Sequence, residues 1–305
     1  MSTEMQKSSR PSAVTAATTA ASAAVTLPPR RRARRHANLA LGLLLTGLLL
    51  LVALVSLVWT PHPPGEQNPR LRMAPPSSAH WLGTDAYGHD MASQLMVGAQ
   101  SSVLVGVIAV AIGLLAGTLL GLLAAARKGW VEELVMRVAD LTFAFPAILT
   151  AIMLNAAYGS GLGISIVAIG IASIPVFARI SRASAKAIWE RDFILAARAC
   201  GKGPLAITLE HVLPNVAPIL IVQATIQFAI AILAEAALSY LGLGTQYPAP
   251  SWGRMLQEAQ SLMFQAPLLS VIPGVAIALS VLGLNLLGDG LRDVIDPKLS
   301  AGRLP

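Results

Sequence analysis

The sequence predicts an all-α integral membrane protein with six transmembrane helices and both termini on the cytoplasmic side. Three observations carry this. Hydrophobic residues make up 55% of the 305-residue chain and charged residues only 12%, where a soluble domain carries about 25% charge; the mean hydropathy is +0.66. Six apolar runs approach or exceed the roughly 20 residues needed to cross about 30 Å of hydrocarbon. The basic residues, finally, are placed asymmetrically about those runs.

The spans are expected at Leu39–Trp59, Ser102–Ala126, Leu134–Ala157, Ile164–Ala178, Val216–Tyr240 and Pro267–Leu287. With the N-terminus inside, the inner segments hold 19 of the 22 Lys and Arg residues, and only Arg70, Arg72 and Arg254 fall outside. That placement accounts for the net charge of +7 without a nucleic-acid partner. The single cysteine, Cys200, excludes an internal disulfide framework and a multi-cysteine metal site.

Residues 1–29 are rich in Ser, Thr, Ala and Pro and read as a disordered stretch, which with the basic run 30–35 makes a cytoplasmic tail over 1–38. Arg30, Arg31, Arg32, Arg34 and Arg35 directly precede the first span. That span is too long for a twin-arginine signal and no A-x-A site follows it, so it is read as an uncleaved anchor whose arginines set orientation and meet lipid phosphates.

An extracytoplasmic loop is expected over 60–101, where Pro61, Pro63, Pro64, Pro69, Pro75 and Pro76 break helices. It ends in a motif, Gly83-Thr84-Asp85, with Gly88, His89 and Asp90 following. Asp85, Asp90, His80 and His89 are metal-ligand types. Asp and Gly also make ordinary turns; the turn reading is preferred and no metal is assigned. In the second span Gly113, Gly117 and Gly121 recur every four residues and mark a face for close helix packing. Two acids fall within spans, Asp140 in the third and Glu235 in the fifth. Such residues are costly in lipid and mark either function or helix-to-helix hydrogen bonding, and the latter is preferred.

The inner loop, 179–214, carries the most legible chemistry. Its first half, RISRASAKAIWERDF, reads as a helix lying along the membrane surface, with Ile180, Ile188 and Phe193 as a lipid- or partner-facing stripe. Ala196, Ala197 and Cys200 then give a short helix a small-residue face, and Gly201, Gly203 and Pro204 end it. A helix entering a groove on another protein needs such small side chains. Pro214 and Asn215 are expected to mark re-entry into the fifth span.

These motifs resemble the dipeptide/oligopeptide/nickel permease family of ABC importers, the C-type (DppC/OppC-like) subunit in particular. The resemblance runs from about Ala40 to Lys298. It rests on GTD-x-x-G-x-D at 83–90, on Ala196-Ala197-Arg198-Ala199-Cys200-Gly201 and on His211-Val212-Leu213-Pro214-Asn215. It rests also on Leu238 to Gly244, Pro250 to Gly253, and Asn285 to Asp293. The chain departs at His89, where the family has Arg, and at Leu195, where the general importer motif has an acid. The resemblance implies a type I importer permease fold in a bacterial inner membrane, with a cytoplasmic coupling loop at residues 179–214 and, as ATPase-coupling residues, Ala196, Ala197, Arg198, Cys200, Gly201, His211, Leu213, Pro214 and Asn215. It implies partners: a B-type permease, two ATPase subunits carrying ATP and Mg, a substrate-binding protein outside, and a peptide as substrate. Glutathione or nickel chelates are the alternatives within the class.

No G-x-x-x-x-G-K-[ST] phosphate loop occurs in the sequence, so the chain is read as a transport subunit, with no cofactor or catalytic site of its own. An ion-coupled secondary transporter is the rival from another class, but no inverted repeat is apparent and it leaves the inner loop unexplained.

Overall fold

The computed structural model describes residues 29–295, with side chains from Ala37 onward. Residues 1–28 of the expected tail, the side chains of the arginine run and residues 296–305 lie outside the described residues. The helices are α1 (Pro29–Val55), α2 (Met91–Arg127), α3 (Trp130–Ala144), α4 (Ala147–Tyr158), α5 (Leu162–Trp189) and α6 (Asp192–Ala199). They continue with α7 (Pro204–Tyr240), which contains one π turn at Thr208–Val212, then α8 (Trp252–Ala259) and α9 (Leu268–Ile295). Among the described residues, five helices are long and apolar enough to cross a membrane, and there are six crossings where the bent pair α3–α4 counts as one span.

That bent pair corrects one expectation. The third span is not a single helix: α3 and α4 meet at 83°. Phe145 is extended, at φ −95° and ψ 126°, as a residue before proline prefers, and Pro146 opens α4. A second correction concerns residues 179–189. No separate surface helix forms there; α5 runs on through Trp189, and Ile180 and Ile188 pack inward around Phe177, Ala185 and Trp189. The turn-by-turn charge that suggested a surface helix belongs to the end of α5 that projects beyond the apolar stretch.

Helix boundaries also differ from those expected. Asp90 caps α2 by accepting from the Ser93 backbone N–H at 2.8 Å, so the helix starts eleven residues before Ser102. Its first turns carry Ser93, Gln94 and Gln100, which hide them from a hydropathy reading. The chain is already helical from Pro204, ahead of Pro214 and Asn215. The π turn directly precedes Pro214, a residue that can donate no backbone hydrogen bond to the preceding turn. Likewise, helix α1 begins inside the region read as tail, and α9 runs to Ile295, beyond Leu287, where the sixth span was expected to end.

Close helix approach sets the core. The glycine stripe of α2 lies against α5: a Cβ on Gly113 would stand 2.6 Å from the Ser173 Cβ, and one on Gly117 2.5 Å from the Ile174 carbonyl oxygen. Because Gly113 faces Ser173 and Gly121 faces Ser181, the two helices run parallel. Helices α1 and α9 are antiparallel, since Leu39 meets Gly290 while Leu45 meets Gly283. Residues 29 and 295, the end of α5 and the α6 elbow therefore share one end of the bundle. The 60–90 loop and the 241–267 segment share the other.

Candidate functional site

At the first end, α5 and α7 are joined by an elbow containing α6. Gly201 adopts φ +80°, its N–H bonding the Arg198 carbonyl at 2.9 Å and the Lys202 N–H the Ala197 carbonyl at 3.2 Å. This is the 6→1, 5→2 pattern in which glycine satisfies the last carbonyls of a helix. Ile194 and Ala197 are buried and anchor α6 on Phe177, Trp189, Ile207 and Val212. Ala197 therefore faces the chain's own core, while Ala196, Arg198, Cys200 and Gly201 are exposed. The small-residue face expected from the sequence divides accordingly, with Ala196 and Cys200 outward.

Charged and aromatic contacts brace the elbow. The Arg198 guanidinium lies 5.1 Å from the Trp189 ring, Lys202 pairs with Glu210, and His211 meets Phe193 edge-on at 6.3 Å. Asn215 donates to the His211 carbonyl at 2.7 Å, which ties the His211-x-Leu213-Pro214-Asn215 motif into one turn. Leu213 is half-buried, and Pro214 and Asn215 are exposed.

At the opposite end the Gly83-Thr84-Asp85 motif folds back on itself. Thr84 and Asp90 form an isolated antiparallel bridge, and Gly83 and Gly88 take positive φ of 78° and 84°. The Thr84 hydroxyl donates to the Leu71 carbonyl and accepts from the Ala74 N–H. Asp85 accepts from the backbone N–H groups of Tyr87 and His89 at 2.8 and 2.9 Å, and its second oxygen lies 2.6 Å from His89 Nδ1. His89 thus supplies, from the position where the related family has arginine, a ring nitrogen to Asp85.

Asp90 is separately engaged. One oxygen accepts from the Ser93 N–H and hydroxyl, both at 2.8 Å, and the other lies 2.9 Å from His80 Nδ1. Burial opposes its ionisation, but the hydrogen bonds from His80 and Ser93 prevail and hold its carboxyl below the usual carboxylate range. The four potential ligands seen in the sequence therefore split into two pairs, Asp85 with His89 and Asp90 with His80.

The two acids within spans have partners that the sequence did not reveal. Asp140 is 2.5 Å from an Arg179 amino nitrogen, and the same guanidinium lies 4.3 Å over the Phe143 ring. Nearby, Glu132 receives Arg182 and Lys186. Glu235, fully buried, accepts from the Ser239 hydroxyl at 2.7 Å and from the Thr245 hydroxyl at 3.3 Å. It pins the segment after α7 to that helix. Trp252 extends the same anchoring by donating its indole N–H to the Leu95 carbonyl at 2.9 Å.

The six-crossing bundle with an exposed elbow at one end has counterparts among known proteins. The family described as "Binding-protein-dependent transport system inner membrane component" matches residues 117–301. The chain belongs to this family. It is a permease subunit of an ABC importer and a multi-pass membrane protein. The permease is 42% identical over 276 residues to the glutathione transport system permease protein GsiD of Pectobacterium atrosepticum, covering 89% of this chain and 90% of that one. It is 40% identical over 271 residues to the dipeptide transport system permease protein DppC of Alkalihalophilus pseudofirmus, with 89% of each chain covered. Among solved structures, an inward-facing MetNI methionine ABC transporter chain superposes with a TM-score of 0.56. It covers 67% of the permease and 97% of that chain, at 19% identity, and so speaks to the fold alone.

Proposed function

We propose that this permease subunit carries peptides into the cytoplasm across a bacterial inner membrane, and that its α6 elbow, residues 192–203, transmits the work of separate ATPase subunits. The observation that carries the coupling role is the elbow itself. It is a short helix rooted in the core through Ile194 and Ala197, ended by the Gly201 turn, and open on the side of Ala196 and Cys200. Such a helix is stiff enough to pass a push to α5 and α7 and slim enough to enter a groove. Arg198, His211, Leu213, Pro214 and Asn215 hold its shape.

The elbow shares an end with residues 29 and 295 and with the basic residues that close α5, and the positive-inside rule favours the cytoplasmic side for that end. The 60–90 and 241–267 segments then face a substrate-binding protein outside. A second, B-type permease suits the broken span: α3 and α4 bury only Ala139, Ala151 and Asn155, and leave Trp130, Leu141, Phe145 and Met153 exposed. Lipid covers whatever of that face the partner does not. ATP and Mg belong to the two ATPase subunits, and the assembled complex is the hydrolysing translocase.

Peptides are favoured because relatives similar over nine-tenths of the chain are named for dipeptide and for glutathione, itself a tripeptide. Nickel chelates and ion-coupled transport have less support. Asp140 is paired with an arginine, which stays protonated and cannot relay a proton. The test is uptake of labelled dipeptide, longer peptide and glutathione by the complete importer in proteoliposomes with internal ATP. Dipeptide or glutathione accumulation is expected; accumulation of none of the three excludes the peptide assignment.

A further inference from the structure

Beside the closed Asp85–His89 pair lies a second cluster that the transport reading leaves unused. His62 comes from the proline-rich stretch after α1, His80 from the turn before Gly83, and Asp90 from the cap of α2. Their ligand-type atoms all lie within 4.8 Å of one another. His80 Nδ1 is 2.9 Å and His62 Nδ1 3.7 Å from the same Asp90 oxygen. The two imidazoles stack with centroids 4.5 Å apart and planes 28° from parallel, so binding one ion through both Nδ1 atoms requires the rings to splay until their in-plane lone pairs converge.

A hydrogen bond from His80 to Asp90 accounts for one ring but not for the other. His62 Nδ1 is buried and has no hydrogen-bond partner among the described residues, although the side chain is 36% exposed. A buried ring nitrogen without a partner is costly. Here it stands beside a buried carboxylate and a second imidazole. The His62 backbone is also fixed, since its N–H donates to the Ser93 hydroxyl at 2.9 Å, and that hydroxyl donates to Asp90. The Asp90 carboxylate is thereby oriented from behind: one oxygen is held by Ser93, which leaves the other directed at the two rings.

We propose that His62, His80 and Asp90 bind a divalent transition ion of the borderline class, zinc foremost, through the two Nδ1 atoms and one Asp90 oxygen. Two imidazoles and a carboxylate suit zinc, with metal–ligand distances of about 2.0–2.2 Å. Tetrahedral ligation at those distances puts ligand atoms about 3.3 Å apart; the two separations from the Asp90 oxygen, 2.9 and 3.7 Å, bracket that value, and all three ligand atoms lie within 4.8 Å of one another. The ion replaces the proton between His80 and Asp90 and supplies the partner that His62 Nδ1 lacks. The exposed edge leaves a fourth position to water. Ser93 acts as the outer support that orients the ligating carboxylate. The consequence is a clasp that fastens the chain after α1 to the start of α2, and so holds the loop end of the bundle.

The test is titration of the purified full-length importer, stripped of metal, with Co2+ as a visible probe and then with Zn2+ in competition. One equivalent of Co2+ is expected to give the intense absorption of a tetrahedral site and to be displaced by Zn2+. His62→Phe keeps a ring to stack on His80 but removes the ligand, and should weaken binding about tenfold or more. His80→Gln should do the same, with an amide donor retained for Asp90. Cys200→Ser, at the other end of the bundle, should leave the titration unchanged. Zinc should also slow proteolysis within residues 60–82 of the wild-type chain and not of His62→Phe. Absence of binding at micromolar Zn2+, or unaltered binding by His62→Phe, overturns the site; neither result bears on the peptide assignment.

Discussion

Gly201 closes the turn that ends α6, and on the proposed coupling it also keeps the docking side of the elbow bare. Its φ of +80° is a conformation that costs a residue with a Cβ about 1–2 kcal/mol. Yet a Cβ placed there meets nothing within 4 Å in this chain. Gly201→Leu is therefore expected to reach the membrane and fold with modest destabilisation, while transport is lost because the new side chain occupies the docking side. Gly201→Asn, which tolerates positive φ, should keep a larger share of uptake. Full uptake by the leucine variant, measured against its membrane abundance, removes the elbow from the coupling path. Cys200, exposed beside it and the only thiol, gives an independent reading. It should cross-link to a cysteine placed in the ATPase groove and resist impermeant thiol reagents applied outside intact cells.

Among the elements, the α2–α5 pair depends on a surface without side chains. With Gly117 facing the Ile174 carbonyl, a larger residue must push the helices apart. Overpacking of this kind costs about 1–3 kcal/mol or more where the obstacle is backbone. Gly117→Leu is expected to lower the thermal stability of the detergent-purified complex and its recovery from the membrane. Gly47→Leu on α1, where a Cβ meets nothing within 4 Å, should change neither. Equal stability of the two variants would mean that the glycine stripe is not what holds α2 to α5. The broken third span presents the opposite case. It buries little within this chain, and its 83° bend falls at the extended Phe145 and at Pro146.

For the whole molecule, the question is where the energy for movement enters. The elbow is at one end, the Asp85 and Asp90 turns at the other, and long helices α5 and α7 connect them. On the proposed coupling, a displacement at α6 would reach the far end through those helices, since α7 carries Glu235 and with it the segment held by Ser239 and Thr245. Transport is accordingly expected to stop when the partner ATPases lose their catalytic acids, even with an intact proton gradient. Vesicles supplied with ATP should transport equally with and without that gradient. Uptake that follows the pH gradient and survives ATPase inactivation would make Glu235 the leading candidate for proton carriage.

The membrane class, the positions of the apolar helices and the position of the elbow were legible in the sequence because each is a local sum. Hydropathy adds along a single run, basic residues count toward the segment they sit in, and the Gly201 turn follows from a glycine placed just after a helix. The turn around Asp85 was legible for the same reason, being built from backbone groups within four residues. What the tertiary structure decided is pairing at a distance. Asp140 reads as a lone acid until packing brings Arg179, 39 positions later, against it. His62 sits in a proline-rich stretch with no motif, and only the return of the chain to the cap of α2 sets it beside His80 and Asp90. The inward face of Ala197 and the bend at Pro146 belong with these. Local composition sets what a segment can become; which side chain meets which depends on how helices separated along the chain come together.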